Sequence, residues 1–535
     1  MELKRTKIWY EADQTITSLD TDINHLVEIQ REAIPLVFIP GIMGSRLRRA
    51  GTKGAKKAAT KGGLPDLRWD PSDLKWMAQN YLLSRNPQHR KEMLVGTEFK
   101  PTFLEVDDSE PFGDGFNGIM SGYHEKFLTP ILKQGETWGL LDKVFVFPVY
   151  AIGYNWTASV RDAGQCVAER IGKIIEEARA VTGLCEKVIV LTHSMGGLVA
   201  RSASVLAGAE SRILGIIHAV QPATGAPAGY WRMKGGFEAT SETSAWHPID
   251  KVKEKAKAKG GSMTLGGSSA EVTVILANIP GGLQLLPNKL HRTNAGASAW
   301  LTVTEKSSVL LALPFSDPYV EIYRVKAEVR PPAGKGPSSN KYWGLVDPDL
   351  LDPQDRPKTS SGTNNDLDAA SGGVCGDPWL EYLRVLEMAE ELHDDLQKRI
   401  HPNTLCIAGT GHRTADVIEL RVESNWVHSD PYGSPGSAIG FKGIYRDARG
   451  DRKMAVMQEP GGEGDGTVAK SSATALNGSP RPALGDAETP VQHQPAYEDG
   501  PLANWAIKAV MAMCKEYYEG RRKSCNAAAT HAGGQ

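Results

Sequence analysis

The sequence is poor in the features that mark disulfide-stapled, metal-binding or membrane-spanning proteins. Its 535 residues include six cysteines, Cys166, Cys185, Cys375, Cys406, Cys514 and Cys525, far apart and never as C-x-x-C. Such spacing argues against a zinc site or a dense disulfide framework and points to buried free thiols. No stretch approaches the roughly 18 apolar residues of a membrane span. The first residues, M-E-L-K-R-T-K-I-W-Y-E-A-D-Q, have no apolar h-region. Synthesis in the cytoplasm without a Sec leader is therefore expected, so that any export would need a non-Sec route. A net charge of -2 gives no electrostatic footprint for nucleic acid. Acidic groups at Asp107-Asp108-Ser109-Glu110 and at Asp347, Asp349 and Asp352 lack EF-hand spacing, so a solvated face is expected there and no metal. No cofactor motif and no internal repeat is present.

What is present is the composition of a globular α/β protein, 41% hydrophobic and 23% charged, in a chain long enough for two domains or for one core with a large insertion. Residues 34–40 (I-P-L-V-F-I-P) and 144–150 (V-F-V-F-P-V-Y) read as strands, 161–180 as a helix, 187–191 (K-V-I-V-L) and 213–220 (I-L-G-I-I-H-A-V) as further strands. Apolar strands alternating with helices predict a mostly parallel sheet covered on both faces. After Gly229 the alternation stops, and sequence rich in Gly, Pro, Ser and Lys runs to about residue 400. Strand-like residues resume at 404–409, and 502–517 reads as a closing helix. The expected division is an N-terminal extension at 1–33, a core at 34–229, a cap (lid) insertion at 230–400, a second core segment at 401–520 and a disordered tail at 521–535.

The stretch V-L-T-H-S-M-G-G-L at 190–198 places Ser194 where a strand turns sharply into a helix. A nucleophilic hydroxyl must stand clear of the backbone, which forces a strained turn, and small residues beside it let strand and helix pack closely. Gly196 and Gly197 supply that room, while Thr192 occupies the first glycine position of G-x-S-x-G and His193 the variable one. In this fold class the acid and then the base follow the serine in the chain. Asp465, in the Gly-flanked G-D-G-T-V, is the first candidate acid and Asp416 the runner-up. His493, in V-Q-H-Q-P-A-Y before the last helix, is the candidate base. His412 and His428 precede Asp465, and His531 lies in the tail. The oxyanion hole is expected from the backbone N–H groups of Met195 and of Ile42, which follows Pro40-Gly41. His193 and His218 read as satisfied core histidines.

Taken together, F-I-P-G-I-M-G-S-R-L (38–47), F-P-V-Y-A-I-G-Y-N-W (147–156), T-H-S-M-G-G-L-V (192–199), G-T-G-H-R-T (409–414) and G-D-G-T-V-A-K-S-S (464–472) resemble the lecithin:cholesterol acyltransferase and lysosomal phospholipase family of α/β-hydrolases. The resemblance implies an α/β-hydrolase fold with a large cap, Asp465 as acid, and Ile42 with Met195 as the hole. It implies a serine esterase of phospholipase A type, releasing fatty acid from membrane glycerophospholipid through an acyl-enzyme. The P-G-I-M-G-S and H-Q-P-A-Y segments also look like bacterial lipase effectors delivered by type VI secretion, antibacterial toxins with a cognate immunity protein, and are similar to GPI-inositol deacylase-like hydrolases. An acyltransferase differs only in the acyl acceptor, and a non-catalytic partner-binding protein is the contrasting class. Two basic runs, 46–61 with seven basic residues and no acid and 251–259 with five lysines, would suit a phospholipid membrane surface.

Overall fold

The computed structural model describes residues 9–10, 27–28, 31–51, 66–82, 86–95, 104–107, 118–133, 138–236, 265–266, 268–327, 341–352, 377–423, 442–446, 452–476, 484, 488–498 and 500–532. Six strands build the central sheet: β1 (Leu36–Ile39), β2 (Val149–Ala151), β3 (Val188–His193), β4 (Ile213–Ala219), β5 (Thr404–Thr410) and β6 (Glu488–Pro490). Their spatial order is β6-β5-β4-β3-β1-β2 and every pairing is parallel. The chain runs outward from β1 to β2 and then crosses to β3 on the other side. The loops after β1 and β3 therefore flank the switch point at the carboxyl ends of the strands, where open α/β sheets hold their sites.

The strand residues are apolar on both faces because both faces are covered. Leu36, Phe38, Ile189 and Leu191 join one buried cluster, and Val37, Ile39, Val188 and Val190 the other, as the two-residue period of a strand requires. Helix α1 (Val160–Thr182) covers the second face. Ser159 caps its start by accepting the Arg161 N–H, and Val160, Ala163, Val167, Ile171, Ile174 and Ala178 form one buried stripe at helical spacing. Helix α2 (Gly196–Val205) packs beside it. The first face is covered by the closing helix α3 (Gly500–Ala532), through Trp505, Ala506, Ala509, Val510 and Met513, and by Tyr123 and Phe127.

Three features differ from the sequence reading. The run 144–150 is two strands, because Phe145–Val146 pairs with Glu32–Ala33 and the chain breaks at Pro148, which has no N–H to continue a ladder, before β2 begins. Helix α3 continues past 520 to Ala532, and Arg521 on it bridges to Glu32 and Glu186. Residues 533–535 lie outside the described residues. Cys166 is exposed on the outer side of α1, whereas Cys185, Cys406 and Cys514 are buried free thiols.

A second sheet of five strands, in the order Ser308–Leu313, Leu301–Glu305, Ile418–Glu423, Arg452–Met457, Lys442–Arg446, stands apart from the central one. It joins a hairpin from within 230–400 to strands that follow β5. No helix of the described residues is long and apolar enough to cross a membrane.

Candidate active site

Ser194 follows β3 directly and has φ of 52°, a left-handed conformation that costs a non-glycine residue of order 1–3 kcal/mol. The surroundings hold it there. Its N–H donates to the Ala219 carbonyl of β4 at 3.0 Å, and its own carbonyl accepts the Gly197 N–H at 2.9 Å as α2 begins. A Cβ on Gly196 would stand 2.5 Å from the carbonyl oxygens of both Ile39 and Pro40, so only glycine lets α2 approach β1 this closely. Thr192 fits the first glycine position because its side chain is buried against His218, hydroxyl to Nδ1 at 2.9 Å. Burial, reinforced by the charges of Arg201 and His401, pushes the His218 pKa down to about 3 and keeps that ring neutral. On its other side Gly197 backs onto the Gln221 side chain.

The structure brings Ser194, His493 and Asp465 into one hydrogen-bonded chain. Ser194 Oγ lies 2.8 Å from His493 Nε2, and His493 Nδ1 lies 2.7 Å from Asp465 Oδ2. A carboxylate can only accept, so Nδ1 carries the proton and Nε2 is left to accept from the serine hydroxyl. The other oxygen of Asp465 accepts the N–H groups of Thr467 and Val468 at 2.8 and 2.7 Å, which fixes the carboxylate plane. Asp465 is fully buried beside the end of β5, and His493 follows β6. All three side chains thus stand at the carboxyl edge of the sheet, 299 residues apart at the extremes.

The loop after β1 sits on the elbow. A Cβ on Gly41 would lie 2.8 Å from His193 Nδ1 and 3.0 Å from Ser194 Cβ, so Ile42, the next residue, is carried close to the nucleophile. Met43 is left-handed at φ 65°, and its carbonyl accepts the Trp69 indole N–H at 2.9 Å, which pins the turn. Among the described residues neither the Ile42 nor the Met195 N–H is taken up in a hydrogen bond. Two free amide donors beside a buried serine can stabilise an oxyanion. Ser194 is only 5% exposed, and the short helix Pro280–Leu283 lies against Met195.

Among the described residues the competing candidates do not enter this hydrogen-bonded chain. Asp416 accepts the Asn294 N–H with both oxygens at 3.0 Å, and burial raises its pKa. His412 pairs through its main chain with Gly464 and bridges to Asp465, but the imidazole on the Asp465 carboxylate is that of His493. His428 and the side chain of His531 lie outside the described residues. The basic run at 46–61 is not a free charged face where it is described: Arg46 is buried between Asp70 and Asp107 at 3.4 and 3.1 Å, and Arg48 pairs with Glu105 at 2.8 Å. These arginines hold the small sheet of Leu47–Arg49, Leu67–Trp69 and Leu104–Val106 together, while residues 52–61 and 251–259 lie outside the described residues. Asp107 is therefore an ion-pair partner and not a solvated acid, and 108–110 fall outside. Asp347 caps a short helix through the Asp349 N–H, and Asp352 pairs with Lys91 at 3.5 Å. No group of three metal-ligating side chains occurs among the described residues.

Three further residues surround the site without a signal in the sequence. Tyr497 donates to the Thr192 carbonyl at 3.1 Å, Tyr123 meets His193 Nδ1 at 2.9 Å, and half-buried Arg232 donates to Thr467 Oγ1 at 2.8 Å. Each is an ordinary residue far in sequence from what it touches, so no spacing announces it.

The parallel sheet, the strained elbow after β3 and the order of serine, acid and histidine along it are those of the α/β-hydrolase fold. Comparisons with known proteins agree on the fold. The model of the PGAP1-like alpha/beta domain family matches residues 152–284, from the end of β2 to the short helix Pro280–Leu283. The chain is similar to one in the crystal structure of the Tle4-Tli4 complex, 23% identical over 91% of this chain and 99% of that one, with a TM-score of 0.61. A match to phospholipase PlaB from Legionella pneumophila, 12% identical over 68% of this chain and 81% of that one, has a TM-score of 0.19 and carries no structural argument. No curated protein matches the sequence.

Proposed function

We propose that the protein is a serine phospholipase that releases fatty acid from glycerophospholipid, with Ser194 as nucleophile, His493 as base and Asp465 as orienting acid. The observation that carries the reading is the unbroken chain Ser194 Oγ, His493, Asp465 at 2.8 and 2.7 Å, with the serine held at a strained φ of 52°. In the first step His493 Nε2 takes the Ser194 proton as Oγ bonds to the acyl carbon, and the carbonyl oxygen becomes an oxyanion facing the N–H groups of Ile42 and Met195. Collapse breaks the acyl C–O bond, and the lysolipid alcohol leaves with the proton from Nε2. Water then attacks the acyl-enzyme, gives a proton to His493, and the second collapse returns it to Ser194 and frees the fatty acid.

The cap consists of 230–400 together with the strands at 418–457, a division supported by their shared five-stranded sheet. Because Ser194 is nearly buried, a lipid reaches it only when cap segments such as Pro280–Leu283 move aside. The protein acts as a delivered lipase effector, held in check by a partner protein that covers the cap. The solved complex of the similar Tle4 chain with Tli4 supports the partner. The test is fatty-acid release from mixed-lipid vesicles whose sn-1 and sn-2 chains differ in length, comparing wild type with Ser194→Ala. Release by wild type alone supports the reading and identifies the ester cut. No release, even with detergent to open the cap, overturns it.

A further inference from the structure

The candidate base is carried on a loop after the edge strand β6, so its imidazole is only as well placed as the main chain beneath it. Two hydrogen bonds fix that main chain. The His493 N–H donates to the Asp465 carbonyl at 2.9 Å, and the His493 carbonyl accepts from His193 Nε2 at 2.7 Å. The first ties the base to its acid. The second ties it to the residue directly before Ser194, at the end of β3.

From this arrangement we infer that His193 is a positioning residue, which holds the main chain of His493 so that the imidazole meets Ser194, and that Tyr123 sets the tautomer His193 needs. The inference rests on the proposed Ser194, His493, Asp465 triad. A carbonyl can only accept, so His193 Nε2 must bear a hydrogen, and in a neutral ring Nδ1 is then an acceptor. Tyr123 supplies the matching donor, its hydroxyl 2.9 Å from Nδ1. The same hydroxyl is within hydrogen-bonding reach of the Gly41 backbone and of Gln494. One buried phenol thereby joins the oxyanion loop, the elbow and the base loop.

Neutrality of His193 matters to the reaction itself. The His193 and His493 ring centroids are 5.1 Å apart, and His493 becomes an imidazolium as it takes the serine proton. A second charged ring at that distance would oppose the step. Burial first, and then repulsion from a charged His493, lower the His193 pKa to about 3, so it stays a neutral donor while its neighbour charges. A histidine satisfied for packing alone would be served by any two partners; here one partner is the base's own main chain.

The test is the rate of covalent capture of Ser194 by a fluorophosphonate probe as a function of probe concentration, for wild type, His193→Phe, His193→Gln and Tyr123→Phe, with thermal unfolding of each. Phe fills the space without a donor, whereas the Gln amide can donate to the carbonyl and accept from Tyr123. His193→Phe is expected to lower the maximal capture rate roughly 10²-fold, the order of loss for a displaced catalytic group, with the half-saturating concentration little changed. His193→Gln should recover about tenfold of that loss, and Tyr123→Phe should slow capture about tenfold, because His193 is then free to change tautomer. Equal rates for wild type and His193→Phe, or equal slowing by Phe and Gln, would overturn the inference. If His193→Phe does not fold, Tyr123→Phe decides: an unchanged maximal rate overturns it. Failure of the triad is a different result, in which wild type is not captured or capture survives Ser194→Ala.

Discussion

Replacing Asp465 by Asn tests the site most sharply, because the structure dictates how the new amide must sit. Oδ1 of Asp465 accepts the Thr467 and Val468 N–H groups, and Oδ2 accepts from His493 Nδ1. An asparagine can keep the first two bonds only with its carbonyl oxygen toward Thr467 and Val468, which turns its NH₂ toward His493. Nδ1 must then accept, so the ring's proton moves to Nε2 and points at Ser194 Oγ, where the base is no longer able to take a proton. The flipped amide would set NH₂ against the Thr467 and Val468 N–H groups, losing both bonds and leaving the buried Val468 donor unpaired at about 1–3 kcal/mol, so it offers no escape. The wrong tautomer should lower kcat by about 10⁴, close to 5 kcal/mol of transition-state stabilisation. The assay is the initial rate of fatty-acid release from vesicles at saturating lipid, with fluorophosphonate capture in parallel and a denaturation curve showing that the variant is folded. A folded Asp465→Asn enzyme that keeps more than about a tenth of the wild-type rate would refute the assignment of the orienting acid.

Other consequences concern stability and pH. Gly196→Ala sets a methyl group against two backbone oxygens at 2.5 Å, and backbone on both sides has little room to give. A loss of about 1–3 kcal/mol is expected by chemical denaturation, and an unchanged midpoint would contradict the packing described for α2 and β1. Arg46→Ala leaves Asp70 and Asp107 buried without their shared cation, for a loss of about 3–5 kcal/mol; a loss below about 1 kcal/mol would show that the pair contributes little. The pKa values of His193 and His218 fall to about 3 and those of His291 and His393 to about 4, all by burial. Their folded values lie below the unfolded one near 6.5, so the unfolded chain binds more protons between those limits. Stability is therefore full above about pH 6.5 and falls on acidification toward pH 4, by up to about 1.4 kcal/mol per pH unit for each ring. The raised carboxyls of Glu32 and Asp416 act in the opposite direction, and urea midpoints that stay level or rise from pH 6.5 to 5 would contradict the neutral burial of these histidines.

The strands of the central sheet are legible because their residues are apolar on both faces, and that pattern survives without knowledge of their neighbours. Residues 187–191 and 213–220 read as strands, and their bounds in the fold are Val188–His193 and Ile213–Ala219. The elbow is equally local: a strand, a serine and two glycines within ten residues leave few other turns. The second sheet was not legible. Leu301–Glu305 pairs in parallel with Ile418–Glu423 across more than a hundred residues, and a short alternating strand carries no label for its partner. The pairing of Arg46 and Arg48, at the start of the basic run, was not legible for the same reason. The acids that pair with these two arginines, Asp70, Glu105 and Asp107, lie well downstream in the chain, and composition counts charge without showing who faces whom.

The candidate site divides in the same way. By itself the sequence determined which residues are the candidates: a serine at a tight turn, a carboxylate in a Gly-flanked loop and a histidine before the last helix, in the order the fold class demands. Only the tertiary structure decided that Asp465 and not Asp416 meets His493, that the Ile42 and Met195 N–H groups take up no hydrogen bond among the described residues, and that His193 donates to the main chain of His493. The physical reason is range. A turn or a helix cap is set by dihedrals and neighbours a few residues away, whereas a hydrogen bond of 2.7 Å between residues 300 apart exists only once the sheet has brought its strand ends together.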